Sequence, residues 1–317
     1  MSKEDRLKRK EEKKKAKLDL MSSRKEKFTV GQLILGIILL AYTLFCFLPV
    51  VLVFVSAFTD EMTITNNGYS LFPKKWSLEG MKNVLYAPDK IVSAYKVTLI
   101  VTICGTLLGL LVMSMFAYAI SRKDFVLRKF LSIFLIIPML FNGGQLSGYL
   151  IFSNYYHWQN SYWVLILPMC VSTMNVIILR TYIVNSIPAE LIEAARIDGA
   201  GEYRTFFGIV FTLMKPALAA VGFMMATAYW NDWSNAYIFI TEDKYTPLQL
   251  LLIQIQSRID FLANSPNIPT AAKLAMKSTT HSTTMATVII VIAPIMVVYP
   301  FFQKYFIKGL TVGSVKG

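Results

Sequence analysis

Charge and reactive side chains are scarce in this chain of 317 residues: only 16% are charged, three are cysteine and two are histidine. Cys46, Cys104 and Cys170 all fall inside apolar runs. No C-x-x-C pair exists from which a disulfide framework or a metal site could be built, and the three read as small hydrophobes. His157 sits in a Tyr-Tyr-His-Trp cluster and His281 in Thr-His-Ser-Thr. Neither has a nucleophile and a carboxylate at local spacing, which counts against an intramembrane enzyme. A G-x-x-x-x-G-K-S/T phosphate loop is absent, so the chain does not hydrolyse ATP itself. No acidic relay crosses the middle of an apolar run, which argues against a proton-coupled carrier.

What the chain has in abundance is apolar sequence. Hydrophobic residues make up 55% of it and the mean hydropathy is +0.51, in blocks long enough to cross a hydrocarbon core of roughly 30 Å at 1.5 Å per helical residue. The reading is an all-α integral membrane protein with six spans, at about 29–58, 93–120, 128–151, 161–184, 213–240 and 283–307. Six spans leave both termini on one side. Lys and Arg choose that side, because basic loops stay in the cytoplasm. With the N-terminus inside, the inner segments carry 23 Lys and Arg against 11 acids, and the outer ones 8 against 8. The orientation is N-in, C-in. Twelve of the 32 basic residues lie in the first 28, so the net charge of +13 belongs to a tail and not to a nucleic-acid footprint. That tail, 1–28, either contacts anionic headgroups or is simply solvated. The first apolar run, about 30 residues long, is too long for a cleaved signal.

Several features interrupt the spans. Gly105 and Gly109 form a GxxxG that lets helices approach closely, within the chain's own bundle or against a partner. Pro138 and then Phe141-Asn142-Gly143-Gly144-Gln145 break the third span. Such a break either lines an aqueous cavity or marks a kink or helix end at the outer interface. Pro168, Ser172, Thr173 and Asn175 in the fourth span, with Pro294 and Pro300 in the sixth, read as kinks. Trp230, Asn231, Asp232, Trp233, Asn235 and Tyr237 offer aromatic faces and polar groups of the kind sugars need. An aromatic belt explains Trp233 and Tyr237 equally well, whereas Asn231 and Asp232 suit a wet gate or path. The loop 241–282 is long and contains an amphipathic stretch from Pro247 to Arg258, the mark of a functional loop.

Between spans four and five the chain reads Ile187-Pro188 and on to Pro216. Pro188, Glu190 and Glu193 suit a helix N-terminus, Asp198-Gly199 a stop and turn, and a second helix is expected over about 202–210. Ala194 and Ala195 give the first helix a small flat face, with Glu193 and Arg196 as charged anchors beside it. This suits a docking peg or, on pattern alone, a helix lying on the membrane.

The run Glu193-Ala194-Ala195-x-x-Asp198-Gly199-Ala200, with Phe206, Ile209 and Pro216 at matching distances, resembles the EAA loop of permease subunits of bacterial ATP-binding-cassette importers. The ending from Tyr299 to Gly317 resembles the MalG-like carbohydrate-uptake branch. Phe141-x-Gly143-Gly144 and Trp230-Asn231-Asp232 are similar to its LplC and YtcP type, associated with oligosaccharide import in Firmicutes. The likeness covers about 29–317; Thr212 departs from it, standing where the family often has a proline.

The resemblance implies the type I (MetI-like) permease fold and no cofactor in this chain, since ATP and magnesium bind a separate ATPase. It implies a heterodimer with a second permease, a cytoplasmic ATPase dimer, and an extracellular, lipid-anchored solute-binding protein that delivers a carbohydrate. The loop 187–212 would couple to the ATPase, through Glu193 as anchor, Ala194 and Ala195 as packing face, Arg196 and Asp198 beside them, and Gly199 as hinge. Val315, Lys316 and Gly317 would also reach the ATPase. Asn142, Gly143, Gly144, Trp230, Asn231 and Asp232 are the expected substrate path or gate, and 241–282 the loop that meets the binding protein. A polyol or glycerol phosphate is the alternative cargo.

Overall fold

The computed structural model describes residues 30–85, 88–141, 143–264 and 281–311, and these are helical almost throughout. The chain divides into two compact units, 1–52 and 53–317. The first long helix, α1 (Val30–Ala57), begins in the first unit and ends in the second.

In the second unit, α2 (Glu61–Asn67) and α3 (Glu79–Leu85) are short, and α4 (Pro88–Ser121) is the long central helix. Pro88 and Asp89 start α4 as helix chemistry prefers, a fixed φ and an acid in the first turn. The next helices come in broken pairs. α5 (Arg128–Leu140) is followed by α6 (Gly144–Tyr149), which runs into a π-helical turn at Leu150–Tyr155. α7 (Tyr162–Ile166) tightens into a 3₁₀ turn ending at Met169 and is bent by 51° from α8 (Thr173–Ser186). After α9 (Ala189–Ile197), a helical arm starts as α10 (Glu202–Thr205) and runs through a π-helical turn, Phe206–Val210, and a last turn, Phe211–Leu213. That arm stands at 78° to α11 (Lys215–Trp230). The chain continues with α12 (Ser234–Phe239), α13 (Leu248–Asn264) and α14 (His281–Thr311).

Among the described residues three helices are long and apolar enough to cross a membrane, and up to six spans result if each bent pair is one span. The expected fifth span, 213–240, is not one rod. α11 ends at Trp230 because Asp232 restarts the chain, its carboxylate accepting the backbone and side-chain N–H of Asn235 at 3.2 and 3.1 Å. The second loop helix outruns its expected end at 210, passing through Thr212 to break only at Met214, just before Pro216.

α4 packs against α8 and α11, and α11 against α14. Lipid tails are as apolar as leucine, so helices in a bilayer are held by close contact and not by the hydrophobic effect. The two glycines of α4 supply that contact within this chain. A Cβ on Gly105 would stand 2.5 Å from the ring of Tyr229, and one on Gly109 would stand 2.6 Å from the carbonyl oxygen of Cys170. Tyr229 then reaches past α4 to donate to the carbonyl of Ile166 at 2.7 Å. Around this seam Met113, Ala117, Val176, Leu179 and Val221 are fully buried.

The two ends of the bundle are fastened differently. At the end away from residues 187–214, Glu61 is buried and its carboxylate accepts the N–H groups of His281 and Ser282, both at 2.7 Å. A negative group on those orphan donors is the favourable partner for the start of α14. Tyr69 and His281 share a hydrogen bond of 3.1 Å beside it, and Gly80 lies so close to Ser282 that a Cβ would meet its backbone at 2.7 Å. Asn160 adds a second fastening, its side-chain oxygen accepting the N–H groups of Thr241 and Glu242 at 2.7 and 3.1 Å.

Glu61→Ala strands two N–H groups where water is largely excluded and is expected to cost about 2 kcal/mol; Glu61→Gln keeps one acceptor and costs less. Thermal unfolding of the purified protein orders the three. Gly109→Val overpacks the seam, with an expected cost of about 1–3 kcal/mol, while Gly31→Val, at a glycine with nothing within 4 Å of its would-be Cβ, is the neutral control in the same assay.

Candidate functional site

Residues 187–214 form an elbow. Pro188 is extended and sits just before α9, so the helix starts one residue later than its sequence suggests. α9 ends in a glycine cap: Gly199 has φ +77°, its N–H bonds to the Arg196 carbonyl at 3.0 Å, and the Ala200 N–H reaches back to Ala195 at 2.9 Å. A left-handed residue at that point is the position for which glycine is preferred. Gly201 then opens the second arm, with Glu202 in its first turn.

The elbow has an inner and an outer face. Ala195 is buried, whereas Glu193, Ala194, Asp198 and Gly199 are exposed. Two large apolar residues project at the bend, Ile197 at 86% and Tyr203 at 75% exposure. Apolar side chains held out on an acidic and basic rim are the ordinary mark of a protein contact. The charge pattern of the loop drew attention to Glu193 and Ala194 but left Ile197 and Tyr203 unnoticed, although both are visible as bulky residues flanking Asp198-Gly199.

The inner face is closed by a ring of charge that joins the elbow to the end of α4. Arg122 grips Asp124 with two bonds, Nε to Oδ1 at 3.0 Å and Nη2 to Oδ2 at 2.8 Å. Arg196 bonds both Asp124 at 2.7 Å and Glu202 at 3.0 Å. Glu202 returns to Arg122 at 3.1 Å and accepts the Tyr118 hydroxyl at 2.8 Å. Tyr118 in turn accepts from Arg122 at 2.8 Å, and its ring lies against Phe206 with centroids 5.4 Å apart. Single exposed ion pairs contribute little, but a network with a bidentate arginine is better held. The Arg122 guanidinium, then that of Arg196, holds the Asp124 carboxyl well below the usual carboxylate range. Glu202 is lowered too, first by the Tyr118 hydroxyl. Both acids therefore stay charged at any physiological pH. A groove of about 440 Å³ lies beside the ring, with Met115, Phe125 and Phe206 in its walls. Arg196 thus faces the chain's own α4. Tyr118, Arg122, Asp124 and Glu202 were not singled out from sequence, since the elements that meet here are some 80 residues apart.

The expected path residues that the structure describes lie on two segments, the break between α5 and α6 and the end of α11. Gly143 and Gly144 are exposed at the break between α5 and α6, and Gly144 has φ +77°. Asn231 is exposed, bonding the Thr227 carbonyl at 2.9 Å and Gln249 at 3.1 Å. Asp232 is half-buried and spent on Asn235. Trp230 is buried between α4, α13 and α14, its indole N–H donating to the Val291 carbonyl at 3.2 Å. Asn142, Val315, Lys316, Gly317, the tail 1–28 and most of the second half of the loop 241–282 lie outside the described residues. Among the described residues no three His, Cys, Asp or Glu side chains gather as a metal site.

Residues 105–312 match the family model of the binding-protein-dependent transport system inner membrane component. The polygalacturonan/rhamnogalacturonan transport system permease protein YtcP of Bacillus subtilis is 33% identical over 281 residues, covering 88% of this chain and 96% of the relative. The protein LplC of the same organism is 32% identical, covering 85% and 89%. A crystal structure of a bacterial ABC transporter involved in the import of the acidic polysaccharide alginate matches with a TM-score of 0.76 at 22% identity, over 89% of this chain and 98% of the other, a likeness of fold. Nearly the whole length of such relatives is therefore present, and the chain belongs to the family of inner membrane components of binding-protein-dependent transport systems.

Proposed function

We propose that this chain is one membrane-spanning half of an ATP-driven importer of oligosaccharides, paired with a second permease, two copies of a cytoplasmic ATPase and an extracellular solute-binding protein. The relatives support the cargo class, since transport systems for polygalacturonan/rhamnogalacturonan, trehalose/maltose and arabinooligosaccharides all contain permeases like it. The distribution of Lys and Arg supports six spans with both termini in the cytoplasm. On this reading 1–28 is a basic cytoplasmic tail, 187–212 the coupling loop and 241–282 the loop that meets the binding protein.

The elbow is the observation that carries the mechanism. The ATPase docks on the outer face, where Ile197 and Tyr203 fill its groove, Ala194 allows close approach and Glu193 anchors the rim. Gly199 holds the bend. When ATP closes the ATPase dimer the elbow moves as one piece, because Arg196 ties α9 to Glu202 in the second arm and to Asp124 at the end of α4. The displacement enters the bundle through α4, the helix against which α8 and α11 pack, and switches the cavity between its two openings. Val315, Lys316 and Gly317 add a second contact with the ATPase. Asn142, Gly143, Gly144, Trp230, Asn231 and Asp232 are the substrate path or gate on this reading. The chain itself binds no nucleotide and holds no cofactor.

Stimulation of ATP hydrolysis by the loaded binding protein, in the reconstituted complex, tests this reading. Glu193→Ala and Gly199→Pro are expected to abolish both stimulation and uptake while the complex still assembles; a chain that neither associates with an ATPase nor changes its turnover refutes the assignment. A second expectation concerns the ring. Asp124→Arg places three cations together and is expected to lower stimulated hydrolysis about tenfold, whereas Asp124→Arg with Arg196→Asp re-pairs the charges and recovers most of it. Equal loss in the single and double variants would mean that the ring carries no displacement.

A further inference from the structure

The break between α7 and α8 borders a cavity of about 440 Å³ against α11 that no part of the coupling machinery uses. Its depth follows from two helices independently. Asn175 lies 11 residues from the end of α8 at Ser186, and Met225 lies 10 residues from the start of α11 at Lys215. Both spacings put the cavity about 15 Å in from the elbow end at 1.5 Å per residue, which is half the thickness of a hydrocarbon core of roughly 30 Å. Irregular backbone at that depth persists only when buried in protein or lining a wet cavity.

The walls are Ser172, Asn175 and Tyr229 on the polar side and Met169, Met224 and Met225 on the apolar side, with no charged lining residue. The Tyr229 hydroxyl is already committed to the Ile166 carbonyl. Asn175 is different. It is only 8% exposed and lines the cavity, yet it is not among the side chains whose polar atoms are shut away unpaired. An amide that opens on the cavity offers two donors and a carbonyl oxygen to whatever enters it, which suits a ligand that both donates and accepts.

We propose that Asn175, with Ser172, is a hydroxyl-reading subsite for the sugar during its passage, and that the methionine side chains form the compliant apolar wall against the ring faces. A sugar hydroxyl donates and accepts at once and pairs both ends of the amide, while flexible thioethers adapt to successive rings. Because this wall offers no cation, it recognises the hydroxyl-bearing edges of a saccharide and not a carboxylate. The inference rests on the oligosaccharide reading above.

The test uses the complete importer in proteoliposomes with two probes of the same ring configuration, α-1,4-galactotriose and α-1,4-trigalacturonate, each delivered by the binding protein. If the subsite exists, Asn175→Leu lowers the sugar imported per ATP hydrolysed about tenfold for whichever probe the wild type carries, while stimulation of hydrolysis by the loaded binding protein stays within about twofold. Asn175→Gln, which keeps the amide, recovers part of the loss. Asn175→Asp adds a carboxylate to the wall and depresses trigalacturonate uptake more than galactotriose uptake. Wild-type import in Asn175→Leu overturns the subsite, and so does a parallel loss of import and stimulation in all three variants, which marks Asn175 as a packing residue. A wild-type complex whose hydrolysis responds to neither loaded probe and that imports neither overturns the oligosaccharide reading itself, and the subsite with it, a result distinct from either outcome confined to the variants.

Discussion

The close contact between α4 and α11 is the constraint on which the rest of the molecule depends. Two glycines spaced by four leave room for the Tyr229 ring and the Met225 side chain of α11, and beside them for the Cys170 carbonyl from the break between α7 and α8. In lipid this contact has no hydrophobic reinforcement, so it must be made by shape alone. Once it is made, α8 and α14 have surfaces to pack on, the elbow has a fixed helix end to hold, and the cavity beside Asn175 has a rigid wall. The seam also explains why Tyr229 is aimed across α4 toward Ile166 and not into the cavity whose edge it forms.

The elbow shows a division of labour between its two faces. Ala194, Ile197 and Tyr203 are exposed together with Glu193 and Asp198, while Arg196, Asp124 and Glu202 pair with one another and join segments from separate parts of the chain. An inward-facing ring of two arginines and two carboxylates is neutral overall, so it fixes geometry without building up a field that would repel or attract a partner at the same end. The exposed side chains at the bend are Ile197 and Tyr203, with Glu193 near them.

Much of this was legible in the sequence, for reasons that are local. Long apolar runs, the proline and acid at the start of α4, and the Asp198-Gly199 stop are all properties of neighbouring residues, and the helices appear close to where those signals place them. The parts that were not legible depend on distant residues. The bond from Asn235 to the Asp232 carboxylate and the contact of Trp230 with α14 are not visible in the sequence. The fifth span looked continuous to residue 240 because hydropathy does not register a helix that stops and restarts within four residues. Arg122 and Asp124 looked like an ordinary basic turn, since nothing in their neighbourhood announces Arg196 and Glu202. Asn175 was noticed only as part of a kink. Its place on the cavity wall is a property of the assembled bundle.

The clasp of Glu61 on His281 and Ser282 joins positions 220 residues apart in the chain. During synthesis Glu61 leaves the ribosome long before α14 exists, and until α14 arrives its carboxylate has only water for a partner. Closing the clasp therefore reports that the last helix has been inserted in the correct direction, with its N-terminus on the same side as the segment after α1. A chain truncated before α14, or one whose last helix inserts backwards, keeps a solvated acid where the finished protein has a buried one. The same four atoms that steady the folded bundle thus distinguish a completed topology from an incomplete one.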